Sequence, residues 1–503
     1  MIPTTFSLQQ LLPDARIIGS EDIAVSQVQS DSRSVSPGDV FVAVCGTQSD
    51  GHFHIADAVT RGAVAVITEH EVSSVNIPQA IVACSATAFA KLSMLLRVGP
   101  QPPVTLAGIT GTNGKTTTAW MVRSILEAAR LRTGIVGTIE TSDGINSCPS
   151  TMTTPSADFL ARQMQKMVFH GTSHCVMEVS SHALHQKRCA ALKFAVAAIT
   201  NITHDHLDYH QTLEKYSSAK ASIATLLHTD APLLINVDDE GCRQIIDQLS
   251  NVPLVTYGID SEAAELRATV LSKTHRSQRI CVHLAQGDAE VRLRLIGKHN
   301  VSNSLLAAAI AEQLGIRIRD IVTGLEALTS VPGRLERIDE GQSFQVLVDY
   351  AHTPDALERS IATIRDFVPG KLICVFGAGG NRDVSKRPAM AAVASSADLC
   401  IVTSDNPRDE DPMTILNNIA AGFPRQTKFE LEVDRQQAIL RAFRMAEPGD
   451  VVLLAGKGHE NTQEIAGRKL SFDDRDVARR LLRLSGASNV AELQPVFSMH
   501  RSA

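Results

Sequence analysis

The chain alternates short apolar, β-branched runs with stretches of helical periodicity. "DVFVAV", "AVAVIT", "VTLAGIT", "HCVMEVS", "FAVAAIT", "PLLINV", "KLICVFG", "DLCIVTS" and "DVVLLAG" are each long enough for a strand and too evenly apolar to keep one face wet. Strands buried on both faces belong to parallel sheets covered by crossover helices, so the pattern predicts an α/β fold. In open sheets of this kind ligands sit beyond the carboxyl ends of the strands, which directs attention to the residues after each run. "GKHNVSNSLLAAAIAEQLG" predicts an amphipathic helix, with Asn300 and Asn303 near its start as caps.

A chain of 503 residues is too long for one core, and three domains are expected. Pro-rich "RVGPQPPVTLAG" precedes a fresh strand and places one boundary near Gln101. A second falls near Ile338, between the helical stretch ended by "ALTSVPGRLERID" and the strand in "FQVLVDYAHTPDA". The expected domains are therefore 1–100, 101–337 and 338–503. With 44% hydrophobic and 20% charged residues the composition is that of a soluble globular protein. A net charge of -6 argues against a general affinity for nucleic acid, so any polyanionic ligand has to be met by local basic groups. Nine cysteines without a C-x-x-C pair, and no charged-then-apolar leader, lead to the expectation of a reduced, cytoplasmic protein. No apolar run reaches the length of a membrane-spanning helix.

The sharpest chemical signal is "GITGTNGKTTTAWMV", a strand running through a Gly-rich turn into a helix. Such a turn lets backbone amides close around phosphates, with Lys115 reaching the outer ones and the Thr116 hydroxyl placed for magnesium. Ile109 stands where the general P-loop pattern has its first glycine, so the loop is a variant built on Gly108, Gly111 and Gly114. Two further clusters follow strands: Glu178 in "MEVSSHAL", and His204, Asp205, His206, Asp208 and His210 in "ITNITHDHLDYH". Ser180 or Ser181 could simply cap a helix, and without a G-x-S-x-G elbow a Ser-His hydrolase is disfavoured. Zinc would recruit Cys or His around a closed tetrahedron, whereas a carboxylate and one histidine beside a phosphate loop suit magnesium better. Lys220 in "YSSAKASIA" and Arg334 in "PGRLERI" are, taken alone, solvated surface charges.

Taken in order, "GTNGKTT", "MEVSSHAL", "ITHDHLDYH", "GKHNVSNSLLAA", "PGRLERI" and "VDYAHTPDAL", flanked by "DSRSVSPGDVFVAVCG" and "DNPR", resemble the Mur ligase family of amide-forming cell-wall enzymes over nearly the whole chain. The resemblance implies a smaller N-terminal α/β domain for a UDP-sugar, a central ATPase-like parallel sheet, and a C-terminal Rossmann-like domain for the incoming amino acid. It implies that ATP and Mg2+ are used to join meso-diaminopimelate to UDP-N-acetylmuramoyl-L-alanyl-D-glutamate through an acyl phosphate, in peptidoglycan precursor synthesis. The implied partners are these small molecules alone, with no nucleic acid, no membrane insertion, and a monomeric state. A lysine-adding relative and a P-loop kinase or NTPase are the alternatives.

Carried over by position, the resemblance gives Gly111, Thr112, Asn113, Gly114, Lys115, Thr116 and Thr117 to the phosphates, and Asn300, Asn303, Arg334 and Asp349 to the rest of the nucleotide, with His352 a weaker candidate. Thr116, Glu178 and His206 would hold magnesium, together with Lys220 in carbamylated form; Lys115, Glu178, His206 and Lys220 form the implied catalytic set. Ser30, Ser32, Thr47, Gln48, Ser49, Met152, Thr153, Thr154, Ser180, Gln186 and Arg188 fall to the UDP-sugar peptide. Relatives often carry Asn where this chain has Met152, which can offer a main-chain contact but no amide hydrogen bond. In the C-terminal part, "FGAGGNRDVSKRP" fails the G-x-G-x-x-G spacing, and with "DNPR" and "LLAGKGHEN" it presents Arg382, Asp405, Asn406, Pro407, Arg408, Gly456 and Glu460 at three strand ends. Guanidiniums beside acids suit a zwitterion, and an arginine fork would distinguish diaminopimelate from lysine by the distal carboxylate.

Overall fold

The computed structural model describes residues 6–46, 49–100, 102–368 and 370–486. Every apolar run quoted above forms a strand, and the strands gather into three main sheets. The first has five strands in the order Arg16–Ile18, Gln79–Ile81, Ala65–Thr68, Val40–Val42, Val28–Gln29, parallel except for the first pair. Its alternation explains its two covered faces. Val40 and Val42 pack under the helix Ser85–Val98 with Phe89 and Leu92, while Phe41 and Val66 face Ile55 and Ala58 on the other side.

The central sheet runs from Ser147–Pro149 through eleven strands to Gly287–Leu293, with Thr105–Thr110 between His174–Glu178 and Val196–Ile199. From Thr133–Val136 to Leu266–Lys273 its neighbours are parallel. The helix Lys298–Gln313 departs from expectation. From Val301 to Ala311 all but Ser302 are buried, because the helix is enclosed between the sheet and the helices Lys115–Ala128 and Ile318–Ala327. It is a core helix rather than an amphipathic one. Its N-cap is Gly297, so Asn300 and Asn303 do not cap it.

The third sheet orders its strands Glu336–Ile338, Gln345–Asp349, Val451–Ala455, Leu372–Phe376, Leu399–Thr403, Phe429–Glu432, with only the first pair antiparallel. Its first strand begins just before the junction expected at Ile338. Inserting Val451–Ala455 between strands formed earlier in the chain makes the ends after Asp349, Phe376, Thr403 and Ala455 converge, the arrangement in which α/β sheets bind ligands. Behind them Arg435 and Asp474 form a bidentate pair at 2.7 and 2.6 Å with both side chains fully buried, and Arg435 also donates to the Ala455 carbonyl at 2.9 Å. Among the described residues no helix is long and apolar enough to cross a membrane.

Candidate active site

The turn after Thr105–Thr110 delivers the chain into the helix Lys115–Ala128 with Gly114, at φ 89°, as its N-cap. Only glycine suits that conformation, and a Cβ there would lie 2.5 Å from Asn303 Oδ1. Lys115 curls back onto its own loop, donating to the carbonyls of Gly111 at 2.7 Å and Thr112 at 2.8 Å. Burial pushes its pKa down while Glu178 and Asp205 pull it up.

Glu178 is fully buried at the end of its strand and heavily bonded. Its Oε2 accepts from Thr116 Oγ1 at 2.8 Å and Thr138 Oγ1 at 2.9 Å, and its Oε1 accepts from the Thr138 amide at 2.8 Å. Arg334, from the far side of the cleft, donates to Thr116 Oγ1 at 3.2 Å and lies 4.5 Å over the Tyr350 ring. Its Nε is buried with no partner among the described residues, so Arg334 is not a solvated surface charge. Asp349 is buried too and accepts from the Leu335 amide at 2.6 Å; burial raises its pKa against the pull of Arg334.

His206 sits in the left-handed region at φ 53°, 3.4 Å from Asp205 Oδ2. Its side chain is 46% exposed, yet the surrounding protein desolvates it enough to hold its pKa down, at about 4, against the pull of Asp205, which favours a neutral imidazole with a lone pair for a cation. Lys220 is not a surface charge either. It is 1% exposed, its ammonium lies 4.4 Å over the Tyr216 ring, and burial, reinforced by Lys115, drives its pKa well below the usual value.

A cavity of about 290 Å³ takes in Thr112 to Thr117, Asn300, Asn303, Arg334 and Asp349. A second, of about 840 Å³, joins Met152, Thr153, Thr154, Ser180 and Arg188 to Arg382, Asp405, Asn406, Arg408, Gly456 and Glu460 across the gap between the sheets. The two share Thr153, Asp205, His206, Tyr350, His352 and Thr353. The structure thus brings nucleotide, sugar-peptide and amino-acid candidates to one continuous space. Gly111, Glu178, Lys220, Gln186, Pro407, Ser30, Ser32 and Ser49 line neither cavity, although Glu178 is bonded to Thr116, which does, and Thr47 and Gln48 lie outside the described residues. Gln186 braces the site from behind, accepting from Arg188 Nε at 3.0 Å, while Arg188 donates to the Thr154 carbonyl at 2.8 Å. Ser180 both caps its helix, accepting from the Ala183 amide, and faces the larger cavity.

Sequence reasoning missed Thr138, Tyr350 and Lys386. Thr138 follows the strand Thr133–Val136, so the same strand-end rule that found Glu178 could have found it. Lys386 lines the larger cavity, where burial lowers its pKa against Asp205 and Asp405.

Family models match three stretches of this chain: the Mur ligase family catalytic domain over residues 24–91, the Mur ligase middle domain over 109–311, and the Mur ligase glutamate ligase domain over 333–458. The UDP-N-acetylmuramoyl-L-alanyl-D-glutamate:2,6-diaminopimelate ligase of Bacillus licheniformis is 41% identical over 471 residues, 92% of this chain and 96% of that protein. The chain belongs to the Mur ligase family. A solved structure of a UDP-N-acetylmuramoyl-L-alanyl-D-glutamate:2,6-diaminopimelate ligase superposes on this Mur ligase with a TM-score of 0.69 at 30% identity, covering 96% of this chain and 99% of the other. The MurF ligase of Thermotoga maritima, solved in complex with ADP, shares the fold at a TM-score of 0.62 and 20% identity, covering 92% of this chain and 98% of its own.

Proposed function

We propose that this Mur ligase uses ATP to join meso-diaminopimelate to UDP-N-acetylmuramoyl-L-alanyl-D-glutamate, releasing ADP and phosphate, in the reducing cytoplasm and as a monomer. The observation that carries the reading is the continuity of the two cavities: the phosphate loop from Thr112 to Thr117 opens at one end, and the Arg382, Asp405 and Arg408 cluster stands at the other. That layout suits a reaction with three substrates, for which a kinase or NTPase has no need. The free γ-carboxylate of the D-glutamyl residue takes the γ-phosphoryl group of ATP, the diaminopimelate amine adds to the acyl carbon, and the tetrahedral intermediate expels phosphate as the amide forms. The amine proton passes to a nearby base or water.

Lys115 and the loop amides would hold the β- and γ-phosphates, and Arg334 would add charge from the junction between the second and third domains. For magnesium, the buried Glu178 carboxylate, the Thr116 hydroxyl and neutral His206 are a fitting set of O and N donors. Lys220 as an ammonium is not a ligand. The downward direction of its pKa favours the neutral amine, the form that can add carbon dioxide and lose a proton to become an anionic carbamate. Magnesium bound there would offset the repulsion between carboxylate and phosphates. Nine free cysteines suit a reducing compartment. The deciding test is phosphate release with the UDP-dipeptide and ATP, comparing meso-diaminopimelate, lysine and no amino acid. Diaminopimelate-dependent release is expected; release that proceeds fully without an amino acid would mark an NTPase instead.

A further inference from the structure

Lys457 lies in "LLAGKGHEN", the turn that follows the strand Val451–Ala455, where its neighbours suggest only a glycine bend. The structure buries it completely, at 0% exposure, an unusual place for an ammonium. Each of its three donors has an acceptor: the Thr462 carbonyl at 2.7 Å, Glu460 Oε2 at 3.2 Å and Asn406 Oδ1 at 3.3 Å. Asn406 in turn donates Nδ2 to Glu460 Oε2 at 2.9 Å, and its Oδ1 also accepts from the Glu464 amide at 3.0 Å. The amide orientation of Asn406 is therefore set by Lys457 on one side and Glu460 on the other. Glu460 Oε2 is occupied by two donors, and the other oxygen, Oε1, carries none of these bonds although the residue lines the larger cavity.

We propose that Lys457 is a positioning residue for the amino-acid subsite: it locks Asn406 and Glu460 together so that Glu460 Oε1 meets the ammonium of the acceptor amino acid at its non-reacting end. The inference rests on the function proposed above. Lysine serves here because its compact ammonium can point three donors in three directions, which the planar arginine fork cannot do. Without that charge the side of Glu460 away from the cavity loses a donor, and the carboxylate is free to rotate away from the substrate. The bond from Lys457 also ties the loop after Leu399–Thr403 to the one after Val451–Ala455, so two strand ends present their ligands as one rigid unit.

The test uses the full-length chain and separate KM values for meso-diaminopimelate, ATP and the UDP-dipeptide. Wild type first identifies the acceptor, so failure of the functional proposal is visible before any variant is made; if another amino acid is used, the same values are read with it. In Lys457→Met the KM for the acceptor is expected to rise at least 10-fold with the other two KM values within 2-fold. Glu460→Gln should do the same, and the double variant should be little worse than either single one, as expected for residues acting through one contact. An unchanged acceptor KM, an equal rise in all three KM values, or additive losses in the double variant would overturn the proposal. If Lys457→Met does not fold, the double variant, which removes both charges, decides by the same KM pattern. Failure of both to fold would show that Lys457 holds the domain rather than the subsite, which also overturns it.

Discussion

Arg408 carries the most specific residue-scale prediction. It sits at φ 52°, a left-handed conformation strained for a residue other than glycine, and its Nη1 donates to the Gly380 carbonyl at 2.6 Å. Glu464 lies 3.5 Å from its Nε. The guanidinium is thus aimed by protein contacts before any ligand arrives, with part of its fork left for a carboxylate. Arg408→Ala is expected to lower kcat/KM for diaminopimelate by about 10-fold to 100-fold or more while sparing the KM for ATP; near wild-type kinetics would remove Arg408 from the subsite. "DNPR" was legible as a turn with a cation on it, because Asn-Pro marks a bend whatever the fold. Lys457 and the inward course of Arg334 were not, since each depends on which distant strand end the fold brings alongside. Arg334 and Thr116, bonded across the cleft, are 218 positions apart.

Among the elements, the strands were legible because a strand buried on both faces leaves a plain apolar run. The helix Lys298–Gln313 was misjudged for a related reason: its few polar positions suggested a wet face, but Asn300 and Asn303 instead turn inward, with Asn303 Nδ2 donating to Asn300 Oδ1 at 3.1 Å. Because Leu306 is wholly buried in this helix, Leu306→Ala is expected to destabilise the protein by about 2 to 5 kcal/mol, read from denaturant unfolding. A cost under about 1 kcal/mol would show that the helix can collapse around the gap. The phosphate loop makes a separate prediction. At Gly111, φ is 141° and a Cβ would come within 1.8 Å of Thr200 Oγ1, so Gly111→Ala must displace either the loop or Thr200. The KM for ATP should rise at least 10-fold with the acceptor KM little changed, and an unaltered ATP KM would argue that the loop does not cradle phosphate.

On the scale of the whole molecule, burial acts on several histidines in one direction. His182, His210 and His299 are pushed from 6.5 to about 4, and His459 to about 3. A depressed folded pKa means that the unfolded chain binds more protons between about 4 and 6.5, so the stability these groups contribute is complete above 6.5 and lost as the pH falls through that window. The Tm is expected to be flat above pH 7 and to fall steadily from pH 6.5 to 4.5; a Tm that holds to pH 4.5 would contradict the burial of these rings. The three-domain plan was legible from length and proline punctuation, whereas the way the domains share one cavity was not, because that depends on contacts such as Asn113 Nδ2 to Asp355 Oδ2 at 2.7 Å between distant parts of the chain. The buried pair of Arg435 and Asp474 has a consequence in time as well as in space. A nascent chain that has emerged only as far as the strand Val451–Ala455 holds every strand of the third sheet but still lacks the counter-charge for Arg435. Burying that guanidinium alone is strongly unfavourable. The third domain is therefore expected to stay incompletely closed during synthesis until Asp474 has left the ribosome.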